Sequence, residues 1–101
     1  MENLFEIIAQ TTQAIAADAS NAEAYKQRAL TFCQMQQYEE ALADLDMLVN
    51  TLSVDDAEIY QLRGTLRMQR GDRDGALDDM RKALDLKPEL LQQLNGEFRS
   101  K

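Results

Sequence analysis

Residues 56–81, DAEIYQLRGTLRMQRGDRDGALDDMR, repeat residues 21–46, NAEAYKQRALTFCQMQQYEEALADLD, at an offset of 35. Ala57, Glu58, Tyr60, Arg63, Gln69, Ala76, Leu77 and Asp79 stand where Ala22, Glu23, Tyr25, Arg28, Gln34, Ala41, Leu42 and Asp44 stand in the earlier copy. The shared letters are small, aromatic and aliphatic residues at helical spacing, so the repeated object is made of helices. A period in the mid-thirties built from two helices predicts a stacked helical array. Arrays of this kind present extended surfaces to other proteins.

Working outward, each copy is bounded by helix stop and start signals. Gly71-Asp72 divides the second copy: the glycine suits a left-handed turn and the aspartate can cap the following helix. Gln36-Gln37 holds the same place in the first copy, and a longer or less regular turn is expected there. Ser53-Val54-Asp55-Asp56 separates the copies. Upstream, Leu4, Ile8, Ile15 and Ala19 recur on one side, with Phe5, Thr12 and Ala16 beside them, predicting an amphipathic helix over 2–18. Ser20 or Asn21 can cap the next helix, with Glu23 completing a capping box. Downstream, Pro88 suits the first turn of a last helix, PELLQQLNGEF, and Gly96 weakens that helix toward its end. The pattern predicts six antiparallel helices joined by short turns.

Composition bounds the function. The 101 residues suit one small domain, 45% apolar and 29% charged, without histidine or tryptophan. Lacking His, the chain lacks the commonest general base and the commonest zinc ligand. The net charge of −7 argues against a duplex-DNA or anionic-membrane surface, which needs a basic face. The charge is uneven, since residues 1–60 carry 11 acids and 2 bases while residues 61–101 carry 7 acids and 9 bases. Such a chain can stack head-to-tail with itself, although solvated helix faces account for the same pattern. Cys33 is the lone cysteine, so no internal disulfide forms and a reducing, cytoplasmic location is expected. The start MENLFEIIAQTT has neither a basic n-region nor a long apolar run, so no signal peptide is expected.

The residues resemble the tetratricopeptide repeat, a helix-pair unit with small residues at the helix crossing and a terminal proline. In 57–88 the signature places hold Tyr60, Gly64, Gly71-Asp72, Ala76, Ala83 and Pro88. In 22–52 they hold Tyr25, Ala29, Phe32, Tyr38, Ala41 and Leu45, with one extra residue near Ser53 accounting for the offset. The resemblance implies an all-α, superhelical fold of about six antiparallel helices. It would form a single domain over 1–101: a leading helix 2–18, repeats 22–52 and 57–88, and a capping helix 88–98. Ala14-Ile15 matches Ala83-Leu84, so the leading helix is similar to the second half of a preceding unit. Arg67 departs from the pattern, at a place that usually takes a large apolar residue; Met68 is expected to fill the gap while the guanidinium reaches for solvent. Arg28 and Asp44 recur as Arg63 and Asp79. Each Arg is expected to bond an acid across its helix pair, this Asp before others.

The same resemblance places ligands on a concave face lined by the first helix of each unit. Here that face would offer Lys26, Gln27, Leu30, Cys33 and Gln34, with Glu23 beside them, then Gln61, Leu62, Thr65, Met68 and Gln69, with Glu58 beside them. Apolar points rimmed by amides suit an extended or helical peptide. Co-chaperone members grip C-terminal carboxylates there. Lys26 matches one such place, but Leu30 and Leu62 stand where Asn is needed, which argues against that ligand. The alternative function is a homo-oligomerising scaffold, with a dimer patch of Leu90, Leu91, Leu94 and Phe98 on the last helix.

No catalytic, cofactor or metal constellation can be assembled. Gly71-Asp72-Arg73-Asp74-Gly75 looks like a calcium loop, but Ala83 stands where a bidentate Glu would close it. Asp78-Asp79 and Asp55-Asp56 are sequence neighbours and diverge on a helix, so neither pair is a catalytic couple. Cys33 has no His to activate it. Arg63, Arg67, Arg70 and Arg73 form a basic run that neighbouring acids offset, so RNA is not an expected ligand. The reading is a non-enzymatic, protein-binding module with no cofactor, nucleic acid or membrane among its expected partners.

Overall fold

The computed structural model describes residues 3–92. Every regular element among them is helical, and none is a strand. They fall in two compact units, Met1–Val54 and Asp55–Lys101.

The first unit holds α1 (Leu4–Ala17), α2 (Ala22–Gln34) and α3 (Tyr38–Asp46), the last running into a π-helical turn over Met47–Thr51. Helix α2 packs against both α1 and α3. Asn3 starts α1 through a reciprocal box: its Oδ1 accepts from the Glu6 amide at 2.8 Å while its Nδ2 donates to Glu6 Oε1 at 3.1 Å. Asn21 starts α2, accepting from the Ala24 amide at 3.1 Å. This assigns the cap to Asn21 and not to Ser20. Ser20 instead bonds Asp18 through its amide and hydroxyl, which hold the Asp18 carboxyl below the usual carboxylate range.

The inner face of α1 keeps Leu4, Ile8 and Ile15, all half-buried, as the apolar spacing predicted, but its flank is shifted. Thr11 is its buried residue, while Phe5 and Ala16 are exposed and Ala19 lies beyond the helix end. The hydroxyl of Thr11 donates to the Ile7 and Ile8 carbonyls at 2.7 and 3.1 Å. A threonine that returns its hydrogen bond to the preceding turn buries a methyl without an unpaired donor. That is why a polar letter could take a core position.

The second unit pairs α4 (Ala57–Gln69) with α5 (Arg73–Leu86), and residues 89–92 begin a further helical stretch. Asp56 and Asp72 cap the two helices. Ala29, Ala41, Ala76 and Ala83 are all buried to 1% exposure or less, as expected of small residues at a helix crossing. Gly64 shows how close the crossing is: a Cβ placed there would lie 3.2 Å from the Ala76 carbonyl oxygen and 3.2 Å from Asp79 Cβ.

The turns between paired helices are alike despite their different letters. Gly71 has φ +89°, with its amide on the Met68 carbonyl at 3.0 Å and the Asp72 amide on the Arg67 carbonyl at 2.9 Å. Gln36 has φ +61°, with its amide on Cys33 at 3.0 Å and the Gln37 amide on Phe32 at 2.8 Å. The first turn is therefore neither longer nor less regular, contrary to the sequence expectation. A non-glycine side chain carries the left-handed strain instead. Gln36→Gly is expected to raise the stability of the chain by about 0.5–1 kcal/mol, read as a rise in the urea midpoint at unchanged slope.

The extra residue of the first copy is accommodated in the π turn. There the Leu52 amide reaches back five residues to the Met47 carbonyl at 3.0 Å, the geometry by which a helix absorbs one additional residue. The Val54 amide then closes on the Leu48 carbonyl at 2.9 Å, with Ser53 left-handed at φ +55°.

Candidate functional site

Each unit is held by the same polar clamp. In the first, Arg28 Nε and Nη2 donate to Asp44 Oδ2 and Oδ1 at 2.8 and 2.7 Å. In the second, Arg63 Nε and Nη2 donate to Asp79 Oδ2 and Oδ1 at 3.0 and 2.8 Å. The expected Arg–Asp pairing is present in both copies, as bidentate forks. Arg28 is half-buried, Arg63 fully so. The bond to Asp44 raises the Arg28 guanidinium above its ordinary value, which fixes its charge more firmly still. Tyr25 and Tyr60 lie under the two guanidiniums at 5.8 Å from centroid to Cζ.

The copies differ in what surrounds the fork. In the first, Phe32 offers a second ring to Arg28 at 5.9 Å, and Thr12 of α1 accepts from Arg28 Nη1 at 3.1 Å. In the second, Arg67 takes the place of Phe32. Its Nη1 donates to Asp79 Oδ2 at 3.2 Å and to the Gly75 carbonyl at 3.3 Å. The guanidinium of Arg67 thus turns inward to the carboxylate and does not reach for solvent, while Met68 is 49% exposed and fills no gap. The stronger pull is a carboxylate with an acceptor lone pair still available. No buried side-chain nitrogen or oxygen among the described residues is left without a partner.

The residues expected to face a partner form one stripe on the first helix of each pair. In α2, Gln27, Leu30 and Gln34 are exposed, with Lys26 and Cys33 half-buried. In α4, Gln61, Thr65, Met68 and Gln69 are exposed and Leu62 is half-buried. Within a helix the five positions follow at i, i+1, i+4, i+7 and i+8, which is a single face. The most open apolar points are Leu30 at 45% and Met68 at 49%. Burial pushes the Cys33 thiol up, away from the thiolate that nucleophilic chemistry uses. Among the described residues no three Cys, Asp or Glu side chains are grouped to hold a metal ion.

Of the expected dimer patch, only Leu90 and Leu91 fall among the described residues. Leu90 is buried at 8% exposure and cannot contribute to an open surface, whereas Leu91 is 52% exposed. Leu94 and Phe98 lie outside the described residues. The correction follows from the turn at Pro88, after which the Leu90 side chain enters the core. Leu77 on α5, half exposed, was not among the patch residues. Its equivalent in the first copy, Leu42, carries the same letter but lies at 4%.

This architecture is that of an all-α protein made of repeated helix pairs. It is similar to the crystal structure of MamA protein, with a TM-score of 0.69 and 24% sequence identity over 84% of this chain. The match covers 46% of that protein, so the chain spans about half the length of the structure it resembles. At this identity the likeness is one of fold. No protein-family model matches the chain, and no curated protein sequence is significantly similar to it. No helix among the described residues is long and apolar enough to cross a membrane.

Proposed function

We propose that the chain is a non-catalytic protein-interaction module of the tetratricopeptide-repeat kind, and that the stripe on α2 and the stripe on α4 each contact a partner protein. The observation that carries this reading is the recurrence of one surface pattern. In both units the same five helix positions form one face that carries an exposed apolar side chain and exposed glutamines, Leu30 with Gln27 and Gln34 in α2 and Met68 with Gln61 and Gln69 in α4, although only Gln34 and Gln69 hold equivalent places. An apolar anchor gives affinity by leaving water, and each amide can both donate to and accept from a peptide backbone. Fold likeness supports the scaffold part of the proposal. The signature residues Tyr60, Gly64, Ala76, Ala83 and Pro88 support the family part.

The test is recovery of partners by the intact chain. Leu30→Glu and Met68→Glu place charge on exposed positions, so they should leave helix content and unfolding midpoint unchanged within about 0.5 kcal/mol. The expected result is loss of specific partners by both variants and their retention by Glu39→Lys on the exposed part of α3. Equal recovery by all three would overturn the proposal. Leu62 is a poorer choice for this test because it is half-buried, and a charge there confounds binding with folding.

A further inference from the structure

The α2 stripe lies in a surface of one sign. Glu23, Gln27, Leu30 and Gln34 follow at i, i+4, i+7 and i+11, all exposed, and share one face of the helix. An open carboxylate therefore stands on that face about 10 Å along the axis from its apolar point. The rest of the unit adds to the same sign. Residues 3–54 carry seven acids and two bases, and both bases, Lys26 and Arg28, are half-buried, Arg28 within the fork to Asp44. Besides Glu23, the exposed charges among these residues are Glu6 on α1, Asp18 just before α2, and Glu39 and Glu40 just after the turn that follows it. Every one is acidic.

The second unit is the internal contrast. Glu58 holds the place of Glu23, but Arg70 and Arg73 stand exposed just beyond the far end of the α4 stripe, and exposed bases recur at Arg81, Lys82 and Lys87. An incoming chain meets a single sign around α2 and mixed signs around α4.

We propose that the α2 stripe takes a cationic partner segment, a lysine- or arginine-bearing peptide that seats an apolar side chain against Leu30 and a positive one beside Glu23. The proposal rests on the reading of the stripe as a contact surface and adds the chemistry of what it contacts. Burial of the apolar side chain supplies affinity. Complementary charge speeds the encounter and turns away acidic competitors.

Selection of a displayed random-peptide library on the intact chain tests the proposal. The expected result is enrichment of peptides that carry Lys or Arg together with a large apolar residue, and their loss on Leu30→Asn, which removes the apolar point without adding charge. A selected peptide, titrated by fluorescence anisotropy, should bind Glu23→Lys roughly three- to tenfold more weakly than wild type. Added salt should weaken it as well, while Glu58→Lys and Glu40→Lys should leave it nearly unchanged. Neutral or acidic peptides that still depend on Leu30 would overturn the charge assignment and leave the contact surface standing. Cationic peptides that bind Leu30→Asn as well as wild type, or that lose as much on Glu40→Lys as on Glu23→Lys, would show diffuse attraction and overturn the site itself. Absence of any enrichment would overturn it too.

Discussion

Asp79→Ala is expected to lower the thermal midpoint of the chain by about 15 °C or more, from a loss of about 3–5 kcal/mol. Asp79 is 2% exposed and is the shared acceptor of Arg63 and Arg67. Removing it takes the bidentate carboxylate away from the Arg63 guanidinium, which is itself buried. A chain of this size has only about 5–15 kcal/mol in hand, so the loss is a large part of the total. The first unit supplies the contrast. Asp44→Ala should cost less, because Arg28 retains more solvent access and keeps Thr12 and two aromatic rings as neighbours. Replacing both members of the second pair, as in Arg63→Met with Asp79→Met, should return part of the stability, since much of the single-variant cost is an orphaned charge. Thermal and urea unfolding followed by circular dichroism check the order. Equal midpoints for the Asp44 and Asp79 variants would refute it.

Leu48→Ala is expected to cost about 2–5 kcal/mol. Leu48 has no exposed surface and, with Leu45, is one of the two largest fully buried side chains. It sits within the π turn, where the backbone has already been widened to take in a residue. A cavity there has two ways to relax: neighbouring side chains can shift, or the turn can revert to α geometry. Leu45→Ala, one turn earlier in the regular part of α3, has only the first. Comparing the two by urea unfolding separates packing from backbone adaptation. A smaller loss at Leu48 than at Leu45 shows that the wide turn yields, while equal losses show that it is rigid.

Much of the architecture could be read from the letters because the fold is written twice. Ala29 with Ala41 and Gly64 with Ala76 are legible as helix crossings, since only small residues at those spacings let backbones approach. Arg28 with Asp44 is legible as a pair because the same two letters recur at the same separation. The errors lie where one residue type can meet two demands. Thr11 was not read as a core residue, but a hydroxyl bonded to its own helix leaves a methyl to bury. Gln36 looked like an irregular turn, but helix packing imposes the left-handed geometry with or without glycine. Arg67 looked misplaced in a core, yet a carboxylate with room for another donor drew it in. The surface was harder. Exposed amides and leucines record no partner in a single sequence, so Leu30 and Met68 could be named as candidates while their occupant could not. Leu77 carries the same letter as Leu42, so the repeat alone could not tell an exposed leucine from a buried one.

The Arg and Asp of each fork are sixteen residues apart in both copies, and this separation works as a gauge. One residue added or removed between them would rotate the second helix by roughly 100° against the first and swing the carboxylate out of reach. Turn letters are consequently free to drift, as Gln-Gln and Gly-Asp have done, while turn length is not. Length changes are tolerated outside the gauged interval, which is where the first copy carries its additional residue. A chain lengthened by further duplication could vary its spacers between copies, but each new copy would have to arrive with its arm and its hook already in measure.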